Sequence, residues 1–275
     1  MSEIKNFYTG IPIESGIKII NLDPKENILN KKKIRNILKK ISESNLHDLS
    51  HNIKNAYHEN AEIYAFHPVN ELKGVDEIIN TLWKPLIYSF PDLERRDNLI
   101  IGGSFQNRVY VSTVGHLTGT FANPWLGVPS NGKTIHLRIC EVHQIENEKI
   151  INSHILIDIM DFIRQAGFWP INPSLGIEEM WPGPITGDGT TFENLDSNLS
   201  ATTLDQGLTM QRSLNIKPET EVGATKDTVR EKLINHPQKD YWHPKMMWYG
   251  PCGIGTARGL KAVSYTHLTL PTICS

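Results

Sequence analysis

From Leu93 to Met160 the chain reads as four strands in succession, with residues between them that reverse the chain direction. Gly102, Gly103 and Ser104 are expected to turn the first into the second. Asn131 and Gly132 turn the second into the third, and Glu146 to Lys149 turn the third into the fourth. Helical periodicity precedes this run. Ile34, Ile37, Leu38 and Ile41 recur at helical spacing with lysines opposite, Leu49, Ile53 and Ala56 continue the pattern, and a third stripe joins Val75, Ile78, Ile79, Leu82, Trp83 and Leu86. Pro85 is expected to kink that third helix and Pro91 to close it. Helices followed by a meander predict an α+β fold, with helices covering one face of a curved antiparallel sheet.

The flanks are less regular. Residues 1–29 scatter Gly and Pro without a period and predict an irregular arm ahead of a complete domain over 30–170. Residues 171–224 are rich in Pro, Gly, Thr and Asn and read as a linker, packed on the domain through Met180 and Trp181. Beyond it the opening of the domain recurs. Tyr57 and His58 align with Trp242 and His243, Tyr64 with Tyr249, and Gly74 with Gly259, all at an offset of 185. Residues 225–261 are therefore expected to begin a second copy, led by a helical stretch from Thr225 to Leu233. The helix due after Gly259 does not follow in the sequence, and residues 262–275 are expected to be an artefactual tail, leaving the second copy truncated.

Charge narrows the partners. Twenty-eight basic against thirty acidic residues give a net charge of -2, which supplies no field for nucleic acid or an anionic membrane. No signal peptide and no apolar run of spanning length is visible, so a cytoplasmic location is expected. Cys140, Cys252 and Cys274 have neither disulfide nor zinc spacing, and no metal, nucleotide or other cofactor is expected. A hydrophobic small molecule is the expected partner.

On the last strand, His154, Leu156, Asp158 and Met160 share one face, while Ile151, Ser153, Ile155, Ile157 and Ile159 share the other. An aspartate among these apolar residues is suited to acid/base work if it faces a pocket, where desolvation raises its pKa. Otherwise Asp158 caps a helix starting at Met160, with Arg164 as its partner. His154 lies roughly 13 Å from Asp158 by strand rise and either binds the far end of a ligand or is structural. His116, between Gly115 and Gly119, either donates to a carbonyl or enolate oxygen or braces its strand. Arg138 and Glu141 have opposite parity, so at most one faces a pocket and the other is solvated or makes an interdomain contact.

Several stretches resemble the SnoaL-like polyketide cyclase group of the nuclear transport factor 2-like superfamily. They are Trp83 to Leu86, Phe90 to Leu93, Gly115 to Phe121, Trp125 to Pro129, Asn131 to Lys133, and Lys149 to Gly167 with Asp158, Arg164 and Gln165. The resemblance implies a cone-shaped pocket and, at Asp158, the acid/base of an intramolecular aldol cyclisation. From the residues themselves, His116 is expected as a second catalytic group, with His154, Arg138, Tyr64, Trp83 and Met160 contacting substrate. Two departures stand out: His154 replaces a tryptophan common in the group, and His116 comes one residue earlier than the group's histidine. The expected function is cofactor-independent proton abstraction on a hydrophobic, polyketide-like carbonyl compound. The alternatives are an isomerase, dehydratase or hydrolase using the same pocket, or a non-catalytic binding or interaction domain. A homodimer, or pairing of the two copies within the chain, is the expected assembly.

Overall fold

The computed structural model describes residues 23–105, 108–169, 171–178, 181–192, 196–213 and 237–263, with a few positions between 225 and 231. Residues 1–22, Met180, most of the expected helix at 225–233, and 264–275 lie outside the described residues.

Helix α1 (Pro24–Ser42) starts earlier than its apolar stripe, because Asp23 caps it and Pro24 opens its first turn. Helix α2 (Leu49–Ala56) runs directly into β1 (Tyr57–Ala65), and the short β2 (Glu71–Lys73) folds back on β1. The third stripe forms one helical run made of α3 (Val75–Glu77), a π-helical turn (Ile78–Trp83) and α4 (Lys84–Ser89). The wide turn immediately precedes Pro85, where the missing N–H breaks the regular ladder, and Lys84 N–H reaches Ile79 O instead. The meander comprises β3 (Glu94–Phe105), β4 (Arg108–Thr120), β5 (Thr134–Glu146) and β6 (Lys149–Ile157), and helix α5 (Ile159–Gln165) follows.

The sheet order is β2-β1-β6-β5-β4-β3. Every neighbouring pair is antiparallel except β1 with β6, which run parallel, so the sheet is mixed rather than purely antiparallel. Gly102 and Gly103 do not turn the chain, since β3 continues through them to pair Phe105 with Arg108. Gly102 instead lets α1 approach: Asn27 donates to its carbonyl at 2.9 Å, and a Cβ there would meet Asn27 Oδ1 at 2.3 Å. The turns expected at Gly132 and at Asn147 and Glu148 are present, all three residues having positive φ. The linker contains an unexpected helix, α6 (Ser197–Ser213), whose first turn is held by Asp196.

Cross-strand register sorts the sheet's side chains. Val111, Thr113 and Leu117 of β4 share a face with Leu137, Ile139, Glu141 and His143 of β5 and with Ser153, Ile155 and Ile157 of β6, and all are buried. This inner face packs against Ile34, Leu38 and Ile41 of α1, Ile53 of α2, and Ile78, Leu82 and Trp83 of the third run. Phe90, Phe121, Trp125 and Phe162 close one end with mutual ring contacts of 5.0–6.2 Å. On the outer face, His154 and Leu156 are exposed. The face expected to line the pocket is therefore the one turned outward, and the isoleucine face is the core.

Candidate functional site

Inside the cone the apolar lining is interrupted by a polar cluster drawn from five strands and one helical turn. Arg95 of β3 pairs with Glu141 of β5, and both are hydrogen-bonded to Thr113 of β4, at 2.8 Å and 2.9 Å respectively. Arg95 Nε also donates to Asp97 at 2.8 Å, and Arg35 of α1 lies 3.7 Å from the other oxygen of that carboxylate. Beside this network, His143 Nδ1 and Ser153 Oγ are 2.8 Å apart, and His143 Nε2 stands 3.7 Å from Glu141, beyond good hydrogen-bond reach. Tyr57, the first residue of β1, brings its hydroxyl beside Ser153 and Trp83.

Electrostatics tune these groups in opposite directions. Burial alone would raise the Glu141 carboxyl, but the Arg95 charge and the groups around it hold it well below the ordinary carboxylate range. Burial, reinforced by the negative charge of Glu141, pushes the Tyr57 phenol up, so that it remains a hydrogen-bond donor. Tyr57 Oη, Trp83 Nε1, Arg95 Nη1 and His143 Nε2 are all buried here without a well-formed hydrogen bond. Tyr57 also lines an open surface cleft of about 650 Å³, whose other walls include Lys54, Glu59, Lys73, Glu77 and Lys149.

A second cluster occupies the outer face. His116 and Arg138 sit opposite each other on β4 and β5, and Arg138 pairs with Asp158 at the end of β6. Asp158 is the N-cap of α5, accepting from Asp161 N–H at 3.1 Å, and its other oxygen accepts from Cys252 N–H at 2.8 Å. Arg164 is paired with Asp161, not with Asp158. Trp181 lies 5.1 Å from the Arg138 guanidinium and donates its backbone N–H to His116 Nε2 at 3.1 Å. Burial, aided by the neighbouring His136 and Arg138, lowers His116 to about 4.

The structure thus divides the residues singled out from sequence. Asp158, His116 and Arg138 do come together, but on the outer face, beneath Trp181 and the 250–252 segment, with both Asp158 oxygens engaged. His154 and Tyr64 form a separate exposed stack at 5.1 Å, so neither lines an enclosed pocket. Trp83 alone of the set faces the interior cluster, while Met160 is half-buried on α5. Of the opposed pair, Glu141 turns inward and Arg138 makes the cross-segment contact. Sequence reasoning missed Tyr57, Arg95, Thr113, His143 and Ser153. The available signal was the alternation that places Glu141 and His143 on the face of Leu137 and Ile139. Among the described residues, no group of His, Cys, Asp or Glu is arranged to hold a metal ion, and no helix is long and apolar enough to cross a membrane.

The sequence model of the family described as SnoaL-like polyketide cyclase matches residues 35–166. No curated protein matches the chain. Among solved structures it is similar to a protein from Jannaschia sp. CCS1 described as a SnoaL-like polyketide cyclase, at 16% identity over 49% of this chain and 88% of that one, with a TM-score of 0.41. It is also similar to a SnoaL-like polyketide cyclase from Agrobacterium tumefaciens, at 17% identity over 50% of this chain and 98% of that one, with a TM-score of 0.38. A third is an NTF2-like protein of unknown function from Burkholderia pseudomallei, at 14% identity over 50% of this chain and 97% of that one, with a TM-score of 0.39. Residues 35–166 are therefore a domain of the SnoaL-like polyketide cyclase family.

Proposed function

We propose that the domain binds a hydrophobic, polyketide-like carbonyl compound inside the cone and moves a proton on the carbon next to the carbonyl, without a cofactor. The observation carrying this reading is the gathering of Tyr57 Oη, Trp83 Nε1, Arg95 Nη1 and His143 Nε2, all buried and unpartnered, within the interior polar cluster. Such atoms are costly to bury unless something answers them. A ligand with a carbonyl oxygen and an acidic C–H answers both kinds.

In this reading, His143 Nε2 removes the proton alpha to the carbonyl while Ser153 holds the other ring nitrogen. The electron pair moves onto the oxygen, where Tyr57 O–H and Trp83 N–H donate to the developing enolate. If the enolate carbon attacks a second carbonyl of the same molecule, the imidazolium returns its proton to the new alkoxide and a ring closes. The cleft at Tyr57 is the route of entry. Asp158 is assigned no part in the proton transfer here, because its carboxylate already accepts from three donors on the outer face.

The test is proton–deuterium exchange at the alpha carbon of a panel of hydrophobic ketones and β-diketones, followed by NMR in D₂O. His143→Gln should slow exchange by about 10²–10⁴-fold, while a folded Asp158→Asn variant keeps it. Loss of exchange in folded Asp158→Asn with retention in His143→Gln would return the acid/base role to Asp158. Ligand binding with no exchange in the unaltered protein would support a non-catalytic binding domain, a reading favoured by the neutralising Arg95–Glu141 pair within the cluster.

A further inference from the structure

The segment Pro237–Val263 repeats several of the bonds that open the domain. Strand β7 (Met247–Trp248) pairs with β8 (Ala257–Arg258) so that Met247 faces Arg258 and Trp248 faces Ala257. In the first domain Glu62 faces Lys73 and Ile63 faces Leu72, which is the same register 185 residues earlier. The turn between the strands repeats too. Asn70 N–H reaches Phe66 O at 3.0 Å with φ 58°, and its counterpart Gly255 reaches Pro251 O at 2.8 Å with φ 81°. At the far end, Gly74 N–H binds Ala61 O at 2.8 Å with φ 79°, and Gly259 N–H binds Met246 O at 2.9 Å with φ 73°.

The approach to the hairpin matches as well. Asn60 N–H reaches His58 Nδ1 at 3.2 Å, and Lys245 N–H reaches His243 Nδ1 at 3.1 Å. Each hairpin follows a helical turn, α2 in one case and the 3₁₀ turn Pro237–Tyr241 in the other, and each leads into helix, from Val75 and, contrary to the expectation from sequence, from Gly259. Short hairpins have many available registers and turn types. Agreement in register, in two left-handed positions and in a side-chain-to-backbone bond at one constant offset is the mark of a structural repeat.

This second hairpin is seated on the outer sheet face of the first domain. Gly250 O accepts from Arg138 Nη1 at 3.3 Å, Cys252 N–H binds Asp158, and Tyr249 stacks on Trp181 with ring centres 5.1 Å apart. Thr256 and Ile177 form a backbone bridge beside it. From these contacts we infer that residues 237–263 belong to a second copy of the cone, and that the outer face around Arg138, Asp158 and Trp181 is the surface on which the two copies meet. Arg138 and Asp158 then serve assembly. A buried charge pair is suited to this, because it rewards one docking geometry and penalises others.

Amide hydrogen exchange on the full chain tests the inference. The amides of Cys252, Gly255 and Gly259 should exchange at least tenfold more slowly than unstructured backbone. Tyr249→Ala, which lies outside the cone, and Arg138→Met should each remove at least tenfold of that protection across 246–259, while the amides of β4 keep theirs in Tyr249→Ala. Gly259→Val, strained at its positive φ as a substitution at Gly74 would be, should also loosen the hairpin. Unprotected amides at these three positions in the unaltered chain would overturn the docked repeat. Protection surviving both Tyr249→Ala and Arg138→Met would overturn the assignment of the docking face, and protection surviving Gly259→Val would overturn the shared register.

Discussion

Glu141→Gln removes the negative charge that answers Arg95 inside the cone. Both side chains are essentially sealed from water, at 1% and 0% exposure, so solvent cannot take over the lost interaction. Asp97 then remains as the counter-charge to Arg95, and Asp97 is shared with Arg35 at 3.7 Å. Breaking a buried pair from one side costs about 3–5 kcal/mol. In a domain of this size that corresponds to a fall in Tm of roughly 10–20 °C. The pH dependence sharpens the test. The folded Glu141 pKa lies below its unfolded value of ~4.3, so its stabilisation is complete above that pH and is lost as pH falls toward the folded pKa. Urea unfolding of both proteins at pH 7 and at pH 3 should therefore show the gap closing in acid. A difference under about 1 kcal/mol at pH 7, or a gap that stays constant down to pH 3, would refute the claim that this pair is buried and fully ionised.

Tyr57→Phe deletes a buried hydroxyl that lacks a well-formed partner, so stability should be unchanged or slightly improved while alpha-proton exchange falls at least about tenfold; paired thermal melts and NMR exchange rates check this. Gly115→Ala would place a Cβ 2.1 Å from Arg96 O, a rigid backbone atom, whereas Gly103→Ala meets nothing within 4 Å. The first should cost at least about 1–3 kcal/mol and the second well under that, measured by denaturant titration. Because His116 is held neutral with its folded pKa lowered to about 4, the Trp181 contact is stable above the unfolded pKa of ~6.5 and weakens as pH falls through that window. Exchange of the Trp181 amide against pH should follow that course and vanish as a trend in His116→Gln.

The elements of the fold were largely legible because their apolar periods are strong, as in Ile34, Leu38 and Ile41 of α1 or Ile155 and Ile157 of β6. The parity of the last strand was also legible, in that Asp158 shares a face with His154 and Leu156. Which face turns inward was not, because an acidic residue among aliphatics can be read as a pocket group or as a cap, and the choice rests on what covers the strand. The plainer burial preference, isoleucines inside, is the one the sheet obeys. Arg95 was hidden for a different reason: the run Glu94-Arg95-Arg96-Asp97 resembles a solvated turn, and only its register against Leu117 shows that alternate residues enter the core. Gly102 misled in the same way, since a glycine pair in a strand signals a turn as readily as the close approach of a distant helix.

The parallel pairing of β1 with β6 bears on how the domain comes together in time. Tyr57 is aligned with Ile150 and Ala65 with Ile155, so β1 waits for a neighbour made late in the domain's synthesis. The helices α1 and α2 and the β3–β4 hairpin can form from local contacts, but the cone has no closed wall until β6 is in place. Contacts of such long sequence separation are slow to make. Until then the edge of β1 stays exposed to pairing with other chains. Closure is thus expected to be the late step of folding, and the same step brings Ser153 and His143 beside Tyr57, so that the interior cluster and the closed cone arise together.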